Sequence, residues 1–205
     1  IPITKIDTRI LEKINFEKYT HFIFPSFSGE LSYKTIHKIN SWIEKGGTLV
    51  LFREAVNWAK DNQLVEIDIL ENELKAENIN FINRKNFKTA QSVSGAIFKA
   101  NLDRTHPINF GIENNSIALF RNTNIFLKPD DQSYNNPIKY DKNPLISGYI
   151  SKENLKTLSN TVPFKIESTG DGKIIIMTDN TNFRGYWIGT QHFMANMIFY
   201  SQFMN

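Results

Sequence analysis

Four histidines, no cysteine and 21 carboxylates limit the chemistry this chain can do. His21, His37, His106 and His192 begin neither His-x-x-Glu nor His-x-x-x-His, so the spacings by which one helix or turn offers two zinc ligands are missing. Without cysteine there is no thiolate metal site, no disulfide and no thiol nucleophile. A nucleophile at a strand-to-helix elbow needs glycine on both sides of the reactive residue, and the turn where one would stand reads Phe52-Arg53-Glu54-Ala55-Val56. What remains is a set of groups able to bind: Ser26, Arg53, Glu54 and Asp179, with His106, Asn182 and Arg184 on flanking loops. Arg53 and Arg184 offer donors to a carboxylate or a sugar hydroxyl. Glu54 and Asp179 would otherwise face each other, so at least one Arg–carboxylate pair is expected there.

Each of these residues also has a purely structural reading. A carboxylate in the first turn of a helix is favoured by the helix dipole, which is reason enough for Glu54. Thr105-His106-Pro107-Ile108-Asn109-Phe110-Gly111 restricts His106 to extended geometry, which suits a side chain held in a cleft as well as one on a solvent-facing turn. The run from Asp179 to Trp187 is dense in groups that could hold a polar ligand. It also reads as an ordered loop whose Asp and Asn cap its own turns while Phe183 and Trp187 pack down.

The elements that must position these residues lie between His21 and Ala59. His21 to Phe24 is a short, nearly all-apolar run ended by Pro25, as expected of a strand covered on both faces. Ser32 is a helix N-cap, and Ile36, Ile39 and Ile43 make one apolar stripe while Lys34, Lys38 and Glu44 stay in water. Gly46-Gly47 ends that helix, Thr48 to Phe52 is a second buried strand, and a further helix carries Val56, Trp58 and Ala59. Two parallel strands joined by a helix open a crevice beyond their carboxyl ends, which is where Ser26, Arg53 and Glu54 fall. Ile174 to Thr178 is expected as a third parallel neighbour, which would bring Asp179 to the same end.

The flanks read less regularly. Ile1 to Ile6 is read as a strand and Thr8 to Ile14 as a short helical or turn-like connection. Leu64 to Leu70 alternates briefly, Glu71 to Glu77 reads as helix and Ile79 to Ile82 as extended. Gly95 to Leu102, Ser116 to Phe120 and Ile125 to Leu127 alternate as half-exposed strands, and Lys128 to Asn143 is polar and turn-rich, a surface excursion. Ser151 caps a helix through Leu155 and Leu158. Val162 to Glu167 and Lys173 to Thr178 pair about Gly170-Asp171-Gly172, and a last helix runs from about Thr190 to Met204.

Composition bounds the rest. At 205 residues, with 40% hydrophobic and 13% aromatic content, the chain is one globular domain with a sizeable core. A net charge of +3 from scattered residues gives no basic stripe, which argues against nucleic acid. No apolar run reaches the ~20 residues that span a bilayer. The first residue is Ile, which points to a fragment or processed chain.

Four segments together carry a family resemblance: Glu44 to Val50, Gly95 to Gly111, Pro144 to Ile150 (Pro-Leu-Ile-Ser-Gly-Tyr-Ile) and Asp179 to Thr190. They resemble the C-terminal domain of large bacterial zinc carboxypeptidases, which is similar in fold to class I glutamine amidotransferases. The resemblance implies a flavodoxin-like α/β sheet with helices on both faces and additional β-strands. Active amidotransferases carry Cys at the elbow, assisted by His and Glu; this chain has no Cys, so that activity is not implied. The family's His-x-x-Glu zinc pair is absent too and would belong to a separate upstream domain. The implied role is therefore a non-catalytic accessory domain of a secreted or periplasmic metallocarboxypeptidase. Its partner would be the peptidase domain of the same polypeptide, and zinc is expected only there. The other open class is a small-molecule or glycan binder, or a degenerate hydrolase, using the crevice.

Overall fold

Two β-sheets share one face-to-face core in this computed structural model, which describes residues 2–71 and 79–204. The larger sheet has the order β1 (His21–Phe24), β2 (Thr48–Phe52), β9 (Gly172–Met177), β8 (Phe164–Thr169). β1, β2 and β9 run parallel, with Phe22 beside Leu49 and Val50 beside Ile175, so the three expected neighbours are neighbours. β8 closes the edge as the antiparallel arm of the β8–β9 hairpin.

Every residue of β2 and β9 is buried, and alternation sends their side chains to two different cores. Leu49, Leu51, Ile174 and Ile176 face α1 (Tyr33–Glu44) and α2 (Ala55–Asp61), meeting Ile39, Ile43, Val56 and Trp58. Val50, Phe52, Ile175 and Met177 face the other way, onto Phe98, Leu119 and Ile138 of the second sheet and Phe193 and Met197 of α5 (Gln191–Phe199). The first face is helical, and the second is shared between helix and added strands. Ser32 caps α1 as expected, its Oγ accepting from the Thr35 N–H at 3.2 Å. Lys38 is not left in water. Its ammonium donates to the carbonyls of Glu12 (2.8 Å) and Ile14 (2.6 Å), tying α1 to the N-terminal segment.

The turn after α1 needs its glycines for room. A Cβ on Gly47 would lie 2.3 Å from the Trp42 ring, and one on Gly172 would lie 2.0 Å from the Ile43 carbonyl oxygen. The end of α1 and the tip of the β8–β9 hairpin therefore touch backbone to backbone.

The second sheet has the order β5 (Ser116–Arg121), β4 (Ala96–Leu102), β7 (Ile138–Gly148), all antiparallel. β7 corrects the reading of 128–143 as a surface excursion throughout. Ile138 and Tyr140 point into the core while Lys139, Lys142 and Asn143 are exposed, so a polar-looking run is a strand covered on one face. A two-residue ribbon, β3 (Ile69–Leu70) with β6 (Phe126–Leu127), lies apart.

Three other expectations change. Residues 2–6 are not a strand, while Thr8–Lys13 is a 3-10 helix, in keeping with the short connection read there. Ile79 to Ile82 is not extended: α3 (Phe81–Ala90) begins inside it and buries none of its residues. The helix expected over 71–77 lies outside the described residues apart from Glu71. The last helix stops at Phe199, and a separate 3-10 turn, Ser201–Phe203, follows. α4 (Lys152–Leu158) is capped by Ser151, whose Oγ accepts from the Asn154 N–H.

Candidate functional site

β2 leaves the sheet through a strand-to-helix elbow, and Arg53 is its apex. The Arg53 N–H still donates to the Met177 carbonyl at 3.1 Å, while its φ of 55° reverses the chain so that Glu54 and α2 follow at once. A residue with a Cβ at this φ is strained by about 1–2 kcal/mol. The elbow geometry thus exists without the flanking glycines: Phe52 and Val56, both buried, stand at the two ends of the turn.

Ser26, just past β1, meets this elbow. Its Oγ donates to Glu54 Oε2 at 2.7 Å, and Arg53 Nη2 lies 3.5 Å from the same oxygen. Parallel strands bring these three residues together because β1 and β2 end on one level. Arg53 is otherwise under-used: its Nε–H is buried with no acceptor among the described residues. Glu54 stands between two clefts. One, of about 420 Å³, has Glu30, Trp58 and Asp61 on its walls. The other, of about 550 Å³, runs under the β3–β6 ribbon and is lined by Asn57, Leu70, Asn124 and Phe126.

Asp179 does not join them. Although it lies two residues past the end of β9, its side chain is fully buried and accepts from Arg121 Nη1 at 2.6 Å and from the Tyr140 hydroxyl at 2.7 Å. Arg121 also donates to Thr178 Oγ1 at 2.9 Å and to the Ile125 carbonyl. Burial pushes the Tyr140 phenol well above its ordinary value, so it is a neutral donor at every physiological pH. Burial alone would lower Arg121, but the Asp179 carboxylate beside it outweighs that and the guanidinium stays charged. The Arg–carboxylate pair expected in the crevice is Arg53 with Glu54, whereas Asp179 pairs with Arg121, a residue the sequence did not single out, and not with Arg53 or Arg184. The sequence signal was the last position of a strand: Arg121 ends β5 on the core-facing register of Leu119.

His106, Asn182 and Arg184 stand elsewhere. His106 is buried, and its Nδ1 accepts from the Ile108 N–H at 3.1 Å, capping the Pro107–Asn109 turn. That bond puts the proton on Nε2, which has no acceptor among the described residues, and the ring packs against Tyr134 and Phe164. Burial holds its pKa down at about 4. Asn182 accepts from Thr181 Oγ1, and Arg184, with φ 51°, lays its guanidinium over Phe183. Phe183 stacks on Phe120 of β5 at 3.6 Å, and Trp187 Nε1 donates to the Ala118 carbonyl, so this loop packs down on the second sheet. Among the described residues no group of three or more His, Asp or Glu could hold a metal ion.

No family model and no curated protein matches the chain. Solved structures do. The chain is similar to the cytoplasmic protein STM3548 from Salmonella typhimurium at 10% identity, over 96% of this chain and 78% of that one, with a TM-score of 0.52. It is also similar to a ThuA-like protein from Bacteroides uniformis ATCC 8492 (13% identity, 91% and 71% covered, TM-score 0.48). A third likeness is to the exo-β-1,4-mannosidase Op5Man5 from Opitutaceae bacterium strain TAV5 (14%, 92% and 26%, 0.45). At such identities a likeness speaks for the fold alone. With the strand order above, the fold is flavodoxin-like α/β, of the class I glutamine amidotransferase type, with helices flanking a largely parallel sheet and a second antiparallel sheet added.

Proposed function

We propose that this chain is a non-catalytic accessory domain of a secreted or periplasmic zinc carboxypeptidase, packing on or positioning the peptidase domain. The observation that carries the reading is the elbow. Where amidotransferases of this fold carry their nucleophile, this chain has a left-handed Arg53, which cannot attack a carbonyl. A packing role is supported by exposed apolar side chains in two of the segments that bear the resemblance. Ile146 lies near the end of β7 and Tyr149 just past it, on a strand whose outer edge is unpaired among the described residues, and Tyr186 and Ile188 are exposed in the segment after β9. Exposed apolar groups at a sheet edge are usually covered by a partner.

The reading predicts that the isolated chain hydrolyses neither glutamine nor a C-terminally exposed peptide. It also predicts that the natural polypeptide contains a domain with a His-x-x-Glu pair. In that polypeptide, Ile146→Asp with Tyr149→Asp should split one unfolding transition into two and leave the melting temperature of the isolated chain within about 2 °C. Steady hydrolysis by the isolated chain that a point change within it abolishes would refute the proposal, as would a full polypeptide without a peptidase domain.

A further inference from the structure

Helix α3 buries none of its 10 residues, yet it begins with two large apolar side chains. Phe81 and Ile82 are 84% and 85% exposed, more than any other large apolar residue among the described ones. At about 3.6 residues per turn, Phe81 shares one stripe with Arg84, Lys85 and Lys88 at i+3, i+4 and i+7, and Ile82 borders it. The half-buried Phe87 and Ala90 lie on the other side, toward the rest of the chain. The helix contains no carboxylate, and none of the ion pairs among the described residues includes Arg84, Lys85 or Lys88. Arg84 spends only its Nε–H, on the Ile79 carbonyl at 3.4 Å. Basic residues that read as scattered in the sequence are therefore gathered here without counter-charges, around apolar side chains that the core does not use.

We propose that α3 lies flat on an anionic lipid surface, with Phe81 and Ile82 entering the boundary between head groups and acyl chains and Arg84, Lys85 and Lys88 held by lipid phosphates. The mixture of side chains on the exposed face selects this occupant. A protein partner would have to cover lysines, which protein interfaces are depleted in. A nucleic acid would use the cations and leave Ile82 in water. A bilayer uses both kinds of group: its boundary takes an apolar helix face to a depth of about 5–10 Å, and its negative surface gives each cation about a fivefold gain in affinity. At about 1.5 Å per residue α3 is about 15 Å long, too short to cross the hydrocarbon core, so the contact is peripheral and reversible. The proposal is independent of the peptidase reading, because it concerns only residues of α3.

Co-sedimentation of the full chain with vesicles of phosphatidylglycerol and phosphatidylcholine in equal parts, and of phosphatidylcholine alone, tests it. The mixed vesicles should bind at least about tenfold tighter, and salt at about 1 M should remove most of that binding. Lys85→Glu with Lys88→Glu should weaken it at least about tenfold, whereas the same charge change at the exposed Lys139 and Lys142 of β7 should weaken it less than about threefold. Phe81→Ser with Ile82→Ser should weaken it at least about fivefold. Because the chain has no cysteine, Thr89→Cys carrying an environment-sensitive dye reports on α3 alone, and its emission should shift to the blue on the mixed vesicles. Equal binding to the two kinds of vesicle, an equal loss from the β7 pair, undiminished binding by the serine pair, or a dye that stays in water would each overturn the proposal. So would a single-stranded oligonucleotide bound as tightly as the mixed vesicles. The variants should melt within about 2 °C of the parent, as α3 has no buried residue, and the parent's lipid preference and the dye decide the question should a variant fail to fold.

Discussion

His106 shows what one buried side chain does to the pH response of the molecule. Its folded pKa, about 4, lies below the value of about 6.5 for an exposed imidazole, because burial disfavours the cation. The unfolded chain therefore binds the proton first. The stability His106 contributes is complete above about pH 6.5 and is lost as the pH falls from there towards 4, by up to about 3 kcal/mol. His106→Asn keeps an acceptor for the Ile108 N–H and removes the titration. Urea midpoints of the variant should be flatter than those of the parent between pH 6.5 and 4; equal slopes would mean that another group governs acid unfolding.

At the scale of elements, α1 carries most of what can be tested by simple substitution. Ser32 is its side-chain N-cap, so Ser32→Ala should cost about 1 kcal/mol. Ile43 is fully buried between α1 and the β2–β9 pair, and Ile43→Ala should cost about 2–5 kcal/mol. The order of the two effects is the check, since a cap that mattered more than the core position would mean that α1 is held by its own backbone rather than by the sheet. Helix α3 is the opposite case: with no buried residue, alanine changes at Phe81 or Ile82 should leave stability within about 0.5 kcal/mol.

The two sheets of the whole molecule are joined by the cluster of Arg121, Tyr140, Thr178 and Asp179. Arg121 and Tyr140 come from β5 and β7, and Asp179 from the end of β9. Breaking the pair by Asp179→Asn leaves a guanidinium buried without its counter-charge and should cost about 3–5 kcal/mol in chemical denaturation. Replacing both partners, with Arg121→Met and Asp179→Leu, should recover much of that loss, because apolar groups of similar volume need no counter-charge. A double variant no more stable than Asp179→Asn would show that the hydrogen bonds to Tyr140 and the Ile125 carbonyl, rather than the charge pair, hold the sheets together.

The sequence by itself determined the βαβα unit from His21 to Asp61, the partnership of β1, β2 and β9, and the meeting of Ser26 with Glu54. The reason is local. Apolar runs of four to six residues, one helical stripe and a serine cap each state their own burial, and parallel strands that end together leave little choice about what lies beyond them. The resemblance carried in four short segments pointed to the same fold. Only the tertiary structure decided that β7 is a strand, since Lys139, Asp141 and Lys142 hide a pattern whose apolar half needs β4 beside it. It also decided the partner of Asp179, which lies 58 residues away in Arg121, and turned that carboxylate inward instead of toward Glu54. No local rule selects among the cations of the chain for such a pair. The choice follows from which sheet covers which face, and that is settled by packing.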